Sequence, residues 1–217
     1  MILYGVIGAG GFGREVMPIV EDMLTYGSAA RNVKTVFVVE YGEMTSVNGH
    51  EVMLLDEFLG LDGRKYFNIA IADSLARERI ANKAIAHGAL PFSIYARNSM
   101  LLSNNSIGEG AIICPFSMIT SNVTVGRFFH ANYYSYVAHD CRIGDFVTFA
   151  PDVHCSGRVI VEDHAYIGAG AMIKQGSNEK PIIIGRSSVV GMGAVVTKNV
   201  PPFATVVGNP AVVLRQK

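Results

Sequence analysis

Two short stretches carry residue types whose spacing could do chemistry. In Val137-Ala138-His139-Asp140-Cys141-Arg142 an imidazole is followed directly by a carboxylate. A histidine that titrates near neutral pH is a natural general base toward an amine or hydroxyl, and a neighbouring carboxylate can raise its basicity or fix its tautomer. Taken alone, the pair reads first as a solvated His–Asp at a corner of the chain. The second stretch, Gly8-Ala9-Gly10-Gly11-Phe12-Gly13, fits the spacing G-x-G-x-x-G. Such a loop offers backbone N–H groups and a helix N-terminus to an anion, so phosphate or pyrophosphate is the expected guest; a tight strand-to-helix turn with no ligand is the alternative. Glu40 closes the next β-rich run and suits ribose or sugar hydroxyls.

The glycine loop must be held by a strand before it and a helix after it. Ile2 to Ile7 is a short apolar run leading into Gly8, and Arg14 to Leu24 carries Val16, Met17, Ile19, Val20 and Leu24 in an amphipathic helical pattern. Thr35–Val39 and Tyr66–Ile71 read as further strands. Ser74–His87 reads as a second helix, with Ser74 as N-cap and Gly88 just past its end. Pro91–Tyr95 reads as a last strand. This is half of a nucleotide-binding α/β fold with a parallel sheet. A complete dinucleotide fold needs more strands, so a nucleotide-sugar or mononucleotide suits it better than NAD. His50, at a loop, and His87, at a helix end, are expected to be solvated.

His139 and Asp140 are positioned by a different rule. Every sixth residue from Ile107 to Ile173 is apolar, and Ile107-Gly108, Val125-Gly126 and Ile143-Gly144 recur 18 residues apart. Neither a helix nor a plain strand has that period; a three-sided parallel β-helix does, with one hexad per side and three per coil. The position four past each ladder residue is small or β-branched (Ala111, Ser117, Val123, Ser135 and onward), where the chain turns into the next side; Phe129 is the exception. The ladder slips once, between Ile173 and Ile184, and the extra residues fall in the polar stretch from Gly176 to Pro181, which should loop out from a corner. Coils stack at roughly 4.8 Å, so between five and six of them would make a prism about 25 Å tall. His130, His139, His154 and His164 all lie on this solenoid, and His139 falls two residues past a ladder valine, on the outside of a coil.

Composition restricts the classes further. Of 217 residues half are hydrophobic, and 18 Lys+Arg balance 18 Asp+Glu, so no basic surface for nucleic acid is expected. No apolar run approaches the length of a membrane span. Met1-Ile2-Leu3-Tyr4 lacks a basic n-region and reads as the start of a strand. Cys114, Cys141 and Cys155 are odd in number, without C-x-x-C spacing, and Cys155 falls on the inward ladder. A structural role for all three and a reducing, cytoplasmic location follow.

Together these features resemble the bacterial sugar acyltransferases of the sialic-acid O-acetyltransferase family, which includes N-acetyltransferases acting on UDP-4-amino-sugars and GDP-perosamine. The resemblance spans essentially the whole chain. It rests on the glycine loop, on Ile69-Ala70-Ile71-Ala72-Asp73, on His139 to Phe146, and on Gly193 to Lys198 through Val207-Gly208-Asn209-Pro210-Ala211. It implies an α/β Rossmann-like nucleotide-sugar-binding domain over residues 1–95. An all-β left-handed parallel β-helix of hexapeptide repeats would follow over residues 96–217. It implies an enzyme that acetylates an amine or hydroxyl of a nucleotide-linked sugar for surface glycan biosynthesis. Acetyl-CoA would be the cosubstrate, no metal would be needed, and a homotrimer would place active sites at subunit interfaces. His139 would be the catalytic base and Asp140 its acidic partner. Gly10, Gly11 and Phe12, with Val39, Glu40 and Asp73, would contact the nucleotide-sugar; Gly157 and Ala169 would line the acetyl-CoA groove. Three departures stand out. Phe12 and Thr148 replace histidines, and Val39-Glu40 stands where Asp-Asp is common. Thr148 could still hydrogen-bond a thioester oxygen but could not be protonated there.

Other readings differ in chemistry. A zinc-dependent γ-type carbonic anhydrase on the same solenoid needs clustered histidines; 18-residue stacking from His139 instead lands on Gly157 and Gln175. A non-catalytic trimeric solenoid that binds a nucleotide-sugar as a regulator is motivated by Thr148. An NAD-linked oxidoreductase lacks a second catalytic domain once the solenoid is subtracted.

Overall fold

The computed structural model describes residues 2–26 and 33–216; Met1 and Lys217 lie outside them. The chain forms two compact units, residues 1–96 and 97–217. In the first, β1 (Ile2–Ile7), α1 (Gly11–Tyr26), β2 (Val33–Val39), β3 (Ser46–Val47), β4 (His50–Leu54), α2 (Leu55–Gly60), β5 (Lys65–Ile69), α3 (Ser74–Ala86) and β6 (Leu90–Pro91) follow one another. The sheet order is β3-β4-β2-β1-β5-β6, parallel throughout except for the β3–β4 hairpin. Its centre is a continuous apolar layer in which Val6, Ile7, Val36, Phe37, Val38, Phe67 and Ile69 are fully buried, as a parallel sheet covered on both faces requires.

Several local expectations change. Helix α1 begins at Gly11, ahead of the apolar pattern that starts at Arg14, because its first turn is the glycine loop itself. The N-cap of α3 is Asp73, not Ser74: Asp73 Oδ1 accepts from Leu75 N and Ala76 N, both at 3.0 Å. Its ionised oxygen is a stronger acceptor for these N–H groups than a serine hydroxyl. The final strand divides into Leu90–Pro91 and Ile94–Tyr95. His50 is not in a solvated loop but on β4, with Nε2 3.6 Å from Glu21 Oε1 and its ring edge-on to Phe37 at 5.6 Å.

In the second unit short parallel strands stack into three sides. Strands such as Tyr136–Val137 and His154–Cys155 form the first, Arg142–Ile143 and Val159–Val161 the second, and Thr148–Phe149 and Tyr166–Ile167 the third. Partners lie 18 residues apart in the regular coils, as in Val125↔Ile143 and Val137↔Cys155, and 23 apart across the slip, as in Ile173↔Val196. Ladder residues from Ile113 to Val196 are all buried, so the six-residue period is a core. The solenoid closes with Ala204–Val207, onto which Val212–Gln216 folds antiparallel.

From Asn104 to Gly170 each corner contains a residue in the left-handed backbone region, three places past a ladder position. Non-glycine residues there include Asn104, Asn122, Asp140 and Arg158 at one corner, and Phe128, Phe146 and His164 at another. That conformation costs an L-residue about 1 kcal/mol or more. It also aims side chains of successive coils into columns, where contacts offset the cost. Phe128 stacks on Phe146 at 5.5 Å and Phe146 on His164 at 5.4 Å, nearly parallel, and Arg127 lies over the Phe146 ring at 5.1 Å. Gly110 begins the same column, because a Cβ there would lie 2.5 Å from the Phe128 ring.

Among the described residues no helix is long and apolar enough to cross a membrane. Phe146→Ala empties the middle of the aromatic column, and unfolding in urea should show a loss of about 3–5 kcal/mol; an unchanged midpoint would mean the column does not stabilise the corner.

Candidate functional site

The strand order of the first unit reverses direction at β1, with β2 on one side and β5 on the other. Loops leaving such neighbouring strands diverge and open a crevice at the carboxyl ends of the strands. A cleft of ≈ 210 Å³ lies there, lined by Ile7, Gly8, Val38, Val39, Glu40, Tyr41 and Ile71. The glycines of the loop divide into two kinds. Gly8 has φ +111°, and a Cβ on Gly13 would sit 1.8 Å from the Gly8 carbonyl oxygen, so the turn itself requires these two. Gly10 and Gly11 face open space, with nothing within 4 Å of where a Cβ would stand, and both are exposed at the start of α1. Local packing gives no reason for glycine at either place.

Of the sequence-nominated residues in this unit, Val39 and Glu40 line the cleft. Glu40 is gripped by Arg79, Nη1 to Oε1 at 2.7 Å and Nη2 to Oε2 at 2.8 Å, and this two-pronged hydrogen bond lowers its pKa. It is therefore an ionised acceptor whose position is fixed. Asp73 is committed through Oδ1 to capping α3, so a substrate contact would fall to a group already holding a helix. Phe12 is half-buried on the first turn of α1 and is not among the cleft-lining residues.

Sequence reading missed three residues here. Tyr41 stands 86% exposed on the cleft rim; a lone exposed aromatic next to Glu40 was the available signal. Arg79 was hidden in an ordinary helical pattern. Arg77 is fully buried, and its Nη1 donates to Ile71 O at 2.7 Å and Ala72 O at 3.3 Å, pinning the loop from Ile71 to Asp73. Burial pulls its pKa down to about 9, against the pull of Asp73.

In the solenoid His139 and Asp140 form the pair their adjacency suggested. His139 Nδ1 lies 2.8 Å from Asp140 Oδ2. The hydrogen bond from His139 is the largest influence lowering the Asp140 pKa, helped by Asn122 and Arg158. An ionised carboxylate can only accept, so Nδ1 carries the proton and Nε2 presents a lone pair. Gly157 sits beneath the ring on the next coil, where a Cβ would lie 2.6 Å from both Cε1 and Nε2. Its role is thus visible within one protomer: it clears the floor on which the imidazole lies. Asn122 Nδ2 donates to Asp140 Oδ1 at 3.3 Å, and Arg158 Nη2 is 3.3 Å from Oδ2. Neither was nominated from sequence, although both lie 18 residues from Asp140 and the period could have found them.

Thr148 and Ala169 are not brought to this corner. Thr148 lies on the third side, only 4% exposed, with its N–H donating to Ala165 O at 3.0 Å. Ala169 lies at the corner between third and first sides, and its carbonyl accepts from Gly193 N at 2.8 Å. Among the described residues no cluster of three or more His, Cys, Asp or Glu could hold a metal ion.

Comparison with known proteins gives full-length matches. The chain is 50% identical over 212 residues to GDP-perosamine N-acetyltransferase of Escherichia coli O157:H7, covering 97% of this chain and 96% of that protein. The structure is similar to that of WeeI from Acinetobacter baumannii AYE, with 47% identity, TM-score 0.93, and 99% and 100% of the two chains covered. It is also similar to the acetyltransferase domain of PglB from Neisseria gonorrhoeae FA1090 in complex with acetyl coenzyme A, with 26% identity, TM-score 0.87, and 98% of each chain covered. No protein-family model matches the chain.

The two kinds of loop glycine should separate by calorimetry. Gly13→Ala drives a Cβ into backbone and should cost more than about 2 kcal/mol. Gly10→Ala, at an open helix N-terminus, should cost less than about 1 kcal/mol. Equal losses would contradict the division.

Proposed function

The chain belongs to the hexapeptide-repeat acyltransferases, in the family of GDP-perosamine N-acetyltransferase, and we propose that it acetylates the amine of a nucleotide-linked sugar with acetyl-CoA, His139 acting as general base. The observation that carries this is the imidazole held by Asp140 at 2.8 Å with Nε2 over the bare backbone of Gly157. In the reaction the amine nitrogen attacks the thioester carbonyl carbon while Nε2 removes its proton. The C–N bond forms, the C–S bond breaks, and the proton held on Nε2 passes to the departing thiolate, releasing CoA. Asp140 stabilises the transient imidazolium and fixes the tautomer. Backbone N–H groups would steady the tetrahedral oxyanion.

The first unit is read as the Rossmann-like holder of the nucleotide-sugar. Phosphates would lie against the open amides at Gly10, Gly11 and Phe12, and Val39 and Glu40 would face the ribose or sugar. Asp73 contributes by ordering the rim. The 50% identical relative makes a GDP-linked amino sugar the first acceptor to test. We read the solenoid as left-handed, and its acetyl-CoA groove as running past Gly157 between subunits of a homotrimer, with Ala169 on its wall. Supporting this, Met100 and Met172 on the first side are each about half exposed, as are Phe116 and Tyr134 on the adjoining corner. An apolar band of this kind suits burial against a second copy. The three cysteines are free and buried, which fits the reducing cytoplasm.

CoA thiol release should be measured with GDP-, UDP- and dTDP-linked amino sugars. We expect turnover with acetyl-CoA and a GDP-linked acceptor, and a loss of at least about 10²-fold in kcat for His139→Asn. Binding of a nucleotide-sugar without acetyl-CoA binding or turnover would favour the regulatory solenoid instead. Gly157→Ala should fold normally, since only the end of a side chain must move, yet lose on the order of 10²-fold in kcat by tilting the imidazole; full activity would refute the seating of the ring. Sedimentation equilibrium should give three times the protomer mass, and Met172→Glu should lower it.

A further inference from the structure

The polar segment that interrupts the ladder returns to the catalytic corner. Between Gly176 and Pro181 it folds on itself, with Ser177 N donating to Lys180 O at 2.9 Å and Lys180 N donating to Ser177 Oγ at 3.0 Å. Asn178 in this turn accepts from Arg158 Nε at 2.7 Å. The other end of the guanidinium, Nη2, lies 3.3 Å from Asp140 Oδ2, the oxygen that faces His139 Nδ1. Asp140 is thus held from both directions along the prism, by Asn122 on the coil before and Arg158 on the coil after. These three share one corner position at 18-residue intervals, each in the left-handed region with φ near +60°. The turn supplies a partner at the end of that column.

We propose that Arg158 is a positioning residue for the base and that Asn178 of the inserted turn anchors it. The pair makes the turn part of the catalytic apparatus through Asp140. Arg158 shares one carboxylate oxygen with the imidazole N–H. It fixes the direction of the carboxylate and offsets part of the negative charge that would favour a protonated ring. Nε2 is then left available to accept a proton and ready to give it up to the thiolate. The charged groups facing this cluster are His139, Asp140 and Arg142 on its own coil, Arg158 on the next, and Glu179 in the turn. Glu179 has a lowered pKa, set mainly by hydrogen bonds, its own backbone and Ser177, with Arg158 adding to it. Asp140 and Arg158 side chains are 37% and 30% exposed, so solvent and salt moderate the effect.

The inference rests on His139 being the base, and its test separates the two. The pH profile of kcat/KM should be measured with acetyl-CoA and a GDP-linked amino sugar for the wild type, Arg158→Met, Arg158→Lys and Asn178→Ala. Removing the cation strengthens Asp140 as a counter-ion to the imidazolium, so the acid limb for Arg158→Met should move up by about half a pH unit. Its kcat should fall several-fold. Arg158→Lys keeps the charge but cannot reach both partners, so its limb should stay near the wild type while kcat falls. Asn178→Ala should shift the limb in the same upward direction by less. A limb unchanged in both Arg158→Met and Asn178→Ala, with His139→Asn inactive, overturns the role of Arg158 and leaves the base in place. An active His139→Asn would instead remove the base assignment itself. Should Arg158→Met fail to fold, the Asn178→Ala profile decides, an unshifted limb counting against the proposal.

Discussion

Everything in the solenoid depends on one constraint: each residue must sit on its counterpart one coil earlier, 18 places back in the regular coils, at the spacing of hydrogen-bonded parallel strands, roughly 4.8 Å. Backbone pairing sets that distance and side chains must comply. Inside, compliance means apolar residues of matched size, as in the column of Val137, Cys155 and Ile173. At the corners it means groups that tolerate a like-placed neighbour at van der Waals distance. Flat rings stack, amides and carboxylates exchange hydrogen bonds, and a ring that must lie flat needs glycine beyond it. His139 over Gly157 is the last case. The seating of the His139 ring is therefore a solution to the same packing problem that the aromatic column of Phe128, Phe146 and His164 solves with stacked rings.

The first unit follows a separate constraint. Strand β1 pairs with β2 on one edge and β5 on the other, so the loops that follow must part. The cleft exists because of topology, and its contents because of local chemistry. Glu40 is immobilised by Arg79, and the loop from Ile71 is tied down by a buried guanidinium. These are costly arrangements to place beside a bare turn. Burying Arg77 is tolerable only because backbone carbonyls accept its protons.

The period, the inward ladder, the slip after Ile173 and the His139–Asp140 pairing were all legible in the sequence, because each depends on one residue type at one repeat position. What stayed hidden depends on relations between positions. The left-handed corner residues escaped notice because Phe, Tyr and Arg have no intrinsic preference for that region; contacts along the columns, stacking for the rings and hydrogen bonds for Arg158, offset the cost. Asp73 as cap was obscured by Ser74 beside it, since both types cap helices well. Strand β4 and helix α2 are too short to show a period. Arg77 and Arg79 sit two apart on α3 with opposite fates, one fully buried and one exposed, and no pattern within the helix distinguishes them. Thr148 was nominated because it matches a histidine position of the resembled family, and within one protomer it lies on the third side, apart from His139.

The turn from Gly176 to Pro181 leaves the prism at a corner and rejoins it without disturbing the register of Ile173 or Ile184. Closing a slightly longer excursion between two fixed points costs little, since loop entropy grows only with the logarithm of length. The rim beside the imidazole is therefore a place where chain length is nearly a free variable, uncoupled from the core a few ångströms away. A scaffold built this way can carry an excursion of another length at this rim while the coils that hold His139 keep their spacing.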